Sequence, residues 1–138
     1  MKTATFEKKT VRAKAKHPTE LIRRIQKGLS ISELKALQDS IDVPFEQLAA
    51  KLSISRSTLQ RRRAAGRLSP DESDKVIRFA RLLEHATDVF GDVNKARAWL
   101  KFPQHGLGGA VPLDYAETEI GAREVDNLLG QIDYGVYS

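Results

Sequence analysis

The chain has 138 residues, 41% of them hydrophobic and 30% charged, the balance of a soluble globular protein of one domain or two very small ones. It contains no cysteine, which excludes disulfides, thiolate metal sites and cysteine nucleophiles and fits a reducing compartment. No apolar run approaches the roughly 20 residues that span a bilayer, and the basic N-terminus lacks the apolar stretch of a secretory signal. The expectation is a cytoplasmic protein without a membrane partner.

The net charge of +5 hides an asymmetry. Residues 1–67 carry 16 Lys and Arg against 6 Asp and Glu, a surplus of ten positive charges. Residues 68–138 carry 7 against 12, an excess of five negative charges. The first half can neutralise several phosphates and release their counterions. The second half is repelled by nucleic acid and needs another role.

In chain order, residues 1–17 read as a basic arm with Lys8, Lys9, Arg12, Lys14 and Lys16 and few apolar residues. Leu21, Ile22 and Ile25 predict a short helix stopped by Gly28. Ser30 followed by Glu33 has the spacing of a capping box, and Leu34, Leu37 and Ile41 supply the stripe of the helix behind it. Pro44 marks another helix start, and Phe45–Leu52 is that helix. Ser53 and Ile54 break it, and Ser55 caps a helix that runs to Gly66.

Ser69-Pro70-Asp71-Glu72 is a fuller start signal, with an N-cap serine, a first-turn proline and acids facing the positive end of the helix dipole. Val76, Phe79, Leu83, Ala86 and Phe90 are expected to point inward from the long helix that follows. Gly91 ends it. Asp92 caps the next, which carries Val93, Ala96, Trp99 and Leu100, with Trp99 read as core. Phe102–Pro112 reads as a loop. Val125, Leu128, Leu129 and Ile132 give a last amphipathic helix. The predicted fold is all-α, with six or seven helices, no strand alternation and no internal repeat. The domain reading is an arm at 1–17, a DNA-binding domain at 18–67 and a second helical domain at 68–138.

Phe45–Gly66 has the pattern of a helix-turn-helix. Leu48 and Leu52 face inward, Ala49 is small enough for a close crossing, Ile54 plugs the turn and Leu59 anchors the second helix. Such a pair presents its second helix to the major groove. Ser55, Arg56, Ser57, Gln60 and Arg61 lie at its early, outward positions. Arg suits guanine and Gln suits adenine, whereas Ser55 and Ser57 suit phosphate oxygens. Arg61, Arg62 and Arg63 cannot share one face, because successive residues turn by about 100°. Arg62 falls where the motif usually has an apolar residue. Its stem is expected to pack while its guanidinium reaches outward, and with Lys51 it completes the candidate DNA contacts.

The second half adds an ordered series: Gly66-Arg-Leu-Ser-Pro-Asp-Glu-Ser73, Phe90-Gly91, Ala98-Trp99-Leu100, Pro103, Leu107-Gly108-Gly109, Pro112-Leu113, Thr118-Glu-Ile-Gly121, Val125, Leu128, Ile132 and Gly135. From about Leu34 to its end, the chain resembles the MbcA/ParS/Xre antitoxin family, in which a toxin-binding domain follows an Xre-like helix-turn-helix. The resemblance implies a homodimeric type II antitoxin that binds a RES-domain, NAD-degrading toxin and represses its own operon at operator DNA. It further implies that the C-terminal segment enters the toxin's active-site cleft. Here that segment is Asp133, Tyr134, Gly135, Val136, Tyr137 and Ser138. Its tyrosines offer flat amphipathic contacts, and Asp133 or the terminal carboxylate suits toxin arginines.

An enzyme is not expected, and neither is a cofactor. His17, His85 and His105 lack metal-ligand spacing, and Ser53, Ser55 and Ser57 have no neighbouring base. Leu107-Gly108-Gly109 lacks the Lys-Ser/Thr of a phosphate loop. Two other readings stay open on the residues: a stand-alone transcriptional regulator, and a protein-interaction adaptor with a degenerate helix-turn-helix.

Overall fold

The computed structural model describes residues 17–135. The basic arm's lysines and Arg12 lie outside them, as do Val136, Tyr137 and Ser138. Among the described residues there are eight α-helices, one 3-10 turn and no strand. The helices are α1 (Pro18–Lys27), α2 (Ile31–Ile41), α3 (Phe45–Lys51), α4 (Arg56–Ala65), α5 (Pro70–Phe90), α6 (Val93–Lys101), α7 (Pro112–Tyr115) and α8 (Glu119–Asp133). The all-α reading is correct, with one short helix, α7, more than the pattern disclosed.

The chain forms two compact units, one ending at Ala80 and the other starting at Arg81. The border lies inside α5, and long-range bonds tie the start of that helix to the segment before α2. Leu68 donates its backbone N–H to Leu29 (2.8 Å), and Ile31 donates to Gly66 (3.0 Å). The Leu29 N–H in turn donates to the Ser73 hydroxyl (2.8 Å), which donates to the Ser69 carbonyl (2.7 Å). Ser73 is fully buried, so these bonds satisfy a hydroxyl that would otherwise be costly to desolvate.

Gly28 makes this junction possible. It ends α1 at φ 89°, and a Cβ there would lie 2.3 Å from the Leu68 carbonyl oxygen. The first unit packs Leu34, Leu37, Ile41, Leu48, Leu52, Val76 and Phe79 into its core, all essentially inaccessible to water. The capping box read at Ser30 does not form. The Ser30 hydroxyl pairs with Ser32 (2.7 Å), and Glu33 is drawn to Arg24 on α1, also at 2.7 Å. That ion pair depends on the α1–α2 packing, which local spacing does not report.

The second unit buries Leu83, Ala86, Ala96, Leu100, Leu113, Ala116, Val125 and Leu129. Asp92 caps α6 through the Lys95 N–H (3.2 Å) as expected. Trp99 is only half-buried and lies against Phe90, with ring centroids 5.8 Å apart. It therefore borders the core rather than filling it. The expected loop at Phe102–Pro112 contains a 3-10 turn, His105–Leu107, closed by Gln104, whose backbone pairs with Ala110 and Gly109.

The α7–α8 corner is closely packed. Thr118 caps α8 by accepting from the Gly121 N–H at 3.0 Å. A Cβ on Gly121 would fall 1.6 Å from the Tyr115 carbonyl oxygen. No side chain fits without moving backbone. Gly121→Ala is therefore expected to destabilise the second unit by roughly 1–3 kcal/mol. Thermal unfolding followed by circular dichroism checks this, and an unchanged transition would contradict the corner's geometry.

Candidate nucleic-acid interface

The motif residues behave as the spacing predicts. Leu48, Ala49, Leu52, Ile54 and Leu59 are all buried. The Ile54 N–H donates to the Ala49 carbonyl at 2.8 Å, which closes the turn between α3 and α4. Ser53 has φ 60°, the left-handed region in which an L side chain is strained. It stands at the turn, where the chain must reverse within a few residues.

Ser55 begins α4. Its hydroxyl accepts from the Thr58 N–H (3.2 Å) and donates to the Thr58 hydroxyl (2.9 Å). The helix ends at Gly66, which is left-handed at φ 79° and donates back to the Arg62 carbonyl. No acid occupies the first turn of α4, so the positive end of its dipole is not offset from within that turn and favours an anion.

Most of the candidate contacts are exposed along α4. Ser55, Arg56, Ser57, Gln60 and Arg61 are all exposed, and Lys51 is half-buried in the last turn of α3. Arg56 lies 3.7 Å from Glu46, but both side chains are 80% exposed, so water and salt screen the attraction. Arg61 donates to the Thr58 hydroxyl at 3.2 Å. Arg63 stacks over the Phe45 ring, 4.8 Å from its centroid. An open groove runs between α3 and α4, lined by Glu46, Ala50, Ser53, Arg56, Gln60 and Arg63 over a floor of Ala49, Ile54 and Leu59.

Arg62 departs from the expectation that its guanidinium reaches outward. It turns back toward α5 and forms a two-point pair with Glu72, Nε to Oε1 at 2.7 Å and Nη2 to Oε2 at 3.2 Å. Glu72 also accepts from the Ser69 N–H (2.8 Å), while the Glu72 N–H donates to the Ser69 hydroxyl (3.2 Å). The capping box at the start of α5 therefore forms in full, and its carboxylate holds α4 as well. Nothing in local spacing pointed to that partnership. The available signal was a charged residue at a position that normally carries an apolar anchor.

Desolvation is the largest influence on the Glu72 carboxyl and raises its pKa. Hydrogen bonds from Arg62 and from the Ser69 backbone, with the attraction of the Arg62 charge, outweigh it and hold Glu72 below its ordinary value of 4.5. The hydrogen bond to Glu72 likewise raises the Arg62 guanidinium, against desolvation.

The tail candidates follow α8. Asp133 is its last residue, Tyr134 is 84% exposed and Gly135 has φ 70°. His85 Nδ1 lies 2.6 Å from an Asp126 carboxylate oxygen, bridging α5 and α8. Among the described residues, no group of three or more His, Cys, Asp or Glu is placed to hold a metal, and no helix is long and apolar enough to cross a membrane.

The chain thus joins a basic helix-turn-helix unit to a second helical unit. Residues 20–81 match the Antitoxin Xre-like helix-turn-helix domain, and residues 85–135 match the Antitoxin Xre/MbcA/ParS C-terminal toxin-binding domain. The chain is 36% identical over 126 residues to an Antitoxin Xre of Yersinia enterocolitica, covering 90% of this chain and 85% of that one. It is 43% identical over 84 residues to an Antitoxin Xre of Photorhabdus laumondii, 60% of this chain and 57% of the relative. A Prs ADP-ribosylating antitoxin of a Sphingobium species is 28% identical over 131 residues, 88% and 82% of the two chains. The chain belongs to the Xre/MbcA/ParS antitoxin family.

Two outcomes test this geometry. Ser53→Gly removes the left-handed strain and is expected to stabilise the chain by about 0.5–1 kcal/mol, net of glycine's greater unfolded-state entropy. A lower melting temperature would contradict it. Because the folded pKa of Glu72 is depressed, its contribution is complete above the unfolded value of 4.5 and fades as pH falls through the folded value. The melting-temperature gap between wild type and Glu72→Gln should therefore be full well above pH 4.5 and shrink progressively as pH falls below it. A gap that is constant across that window would sink the assignment.

Proposed function

We propose that this chain is the antitoxin of a type II pair, that it neutralises a RES-domain, NAD-degrading toxin, and that it represses its own operon. The observation that carries the reading is the joining, in one chain, of a basic helix-turn-helix to a domain of the toxin-binding family. The roles divide along the charge asymmetry: phosphates attract the first half and repel the second. The acidic 68–138 region includes the toxin-binding side.

Ser55, Arg56, Ser57, Gln60 and Arg61 read and position the DNA, supported by Lys51. Arg62 is left out of this set because Glu72 holds its guanidinium. The chain acts as a homodimer, which gives the two-fold symmetry that paired operator half-sites require. It works in the cytoplasm and needs no cofactor. It carries out no catalysis of its own. Asp133, Tyr134, Gly135, Val136, Tyr137 and Ser138 form the segment that blocks the toxin's active site. The exposure of Tyr134 at the end of α8 supports that role, since a tyrosine in water gains most by transfer into a partner's pocket.

The Sphingobium relative is named a Prs ADP-ribosylating antitoxin, which favours a second reading of the toxin as one that transfers ADP-ribose. Incubating purified toxin with NAD, with and without cell protein, separates the two by where the ADP-ribose ends up.

Co-expression with the adjacent reading frame tests the whole proposal. Growth arrest by that frame alone and recovery with this chain are expected. A harmless neighbour would leave a stand-alone regulator, and arrest that this chain does not relieve would defeat the antitoxin reading. Deletion of Tyr134–Ser138 should weaken neutralisation at least tenfold and leave DNA affinity unchanged. Full protection by the shortened chain would refute the blocking segment.

A further inference from the structure

We infer that Arg62 is withheld from DNA by Glu72 and serves as a positioning residue for α4, so that the Arg61-Arg62-Arg63 run presents fewer cations to the duplex than its sequence suggests. The inference rests on the DNA-binding reading of α4 and sharpens it.

Arg62 follows Leu59 by three residues, and residues three apart share a helix face. Leu59 is buried. Arg62 therefore points to the inward side of α4, while Gln60 and Arg61 are exposed. Its side chain is 29% exposed and that of Glu72 is 12% exposed. By contrast, both members of the Arg56–Glu46 pair are 80% exposed. A two-point guanidinium–carboxylate pair fixes direction as well as distance.

The carboxylate is itself fixed. Glu72 accepts from the Ser69 N–H in the reciprocal box that starts α5. Swinging Arg62 out to a phosphate would strip a poorly solvated carboxylate of its partner, which is strongly unfavourable. Arg62 thus takes the place of a hydrophobic anchor. It joins the last turns of α4 to the first turn of α5 through a charged pair. Arg63 is drawn aside differently, over Phe45, but it remains exposed beside the groove.

The arrangement bears on selectivity. A cation released from this position would add phosphate attraction at every sequence and no discrimination between sequences. Glu72 then acts against non-specific binding as well as for the geometry of the recognition helix.

Fluorescence anisotropy with the full chain tests this, using a duplex from the gene's own promoter and an unrelated duplex of equal length over a series of salt concentrations. The readout is the slope of log affinity against log salt. Arg61→Ala removes an exposed cation from α4 and should lower the slope by about one. Arg62→Met should leave the slope at the wild-type value while lowering the melting temperature. Glu72→Gln should raise the slope on the unrelated duplex by up to about one. The charge-reversed double variant, Arg62→Glu with Glu72→Arg, should recover part of the melting temperature lost by Arg62→Glu alone and keep the wild-type slope.

A slope lowered by about one in both Arg62→Met and the reversed pair would overturn the inference, because Arg62 would then be a phosphate contact. A double variant no more stable than Arg62→Glu alone would overturn the pairing itself. If Arg56→Ala and Arg61→Ala both left affinity and slope untouched, the DNA reading of α4 would fail instead. The melting temperatures would still decide whether Arg62 and Glu72 act as a pair.

Discussion

One carboxylate organises the first unit. Glu72 receives two bonds from Arg62 and one from the Ser69 backbone. The first two secure the recognition helix and the third secures the start of α5. Each neighbour alone is a common device: a capping box in one case, an ion pair in the other. Their meeting on one side chain ties the direction of α4 to the helix that closes the unit's core. Low exposure makes this carboxylate costly to strand, and the two-point geometry makes it directional.

Much of this was legible in the chain. The spacing of Leu48, Ala49, Ile54 and Leu59 defines the helix-turn-helix, and all four are buried. Ser55, Gly66, Ser69 and Asp92 stand at helix ends as their chemistry requires, because caps act over three or four residues and local sequence reports them. What spacing did not disclose was long-range choice. Ser30 and Glu33 have the same spacing as Ser69 and Glu72, yet only the second pair forms a box. Arg24 from α1 captures Glu33, whereas Arg62 meets Glu72 without displacing its backbone bond. Arg62 shows the same limit from the other side. Its unusual residue type was visible, but its partner lies ten residues away and is brought near by folding.

The second unit was legible in its stripes and not in its corners. Leu128, Leu129 and Val125 are buried as their period predicts. The short helix α7 escaped notice because four residues carry no period, and Trp99 borders a core it was expected to fill. Gly121 belonged to the family-like series, but the reason for it is steric: the first turn of α8 passes against the Tyr115 carbonyl. The role proposed for the tail comes from the family to which the chain belongs.

The junction at Gly28 and Leu68 carries a consequence for modularity. The twenty-two residues from Phe45 to Gly66 look like a cassette that could be cut out and grafted onto another scaffold. They are not self-sufficient. The carbonyl of Gly66 accepts from Ile31 and the N–H of Leu68 is answered by Leu29, so the motif's exit is stitched to a segment that precedes its entrance. A hybrid built from the motif alone would leave those backbone groups to water and expose Leu59 and Leu48, which are buried here. The building block of this helix-turn-helix is therefore the stretch from α1 into α5. Recombination that kept the two recognisable helices and discarded their flanks would inherit the lettering without the page that holds it flat.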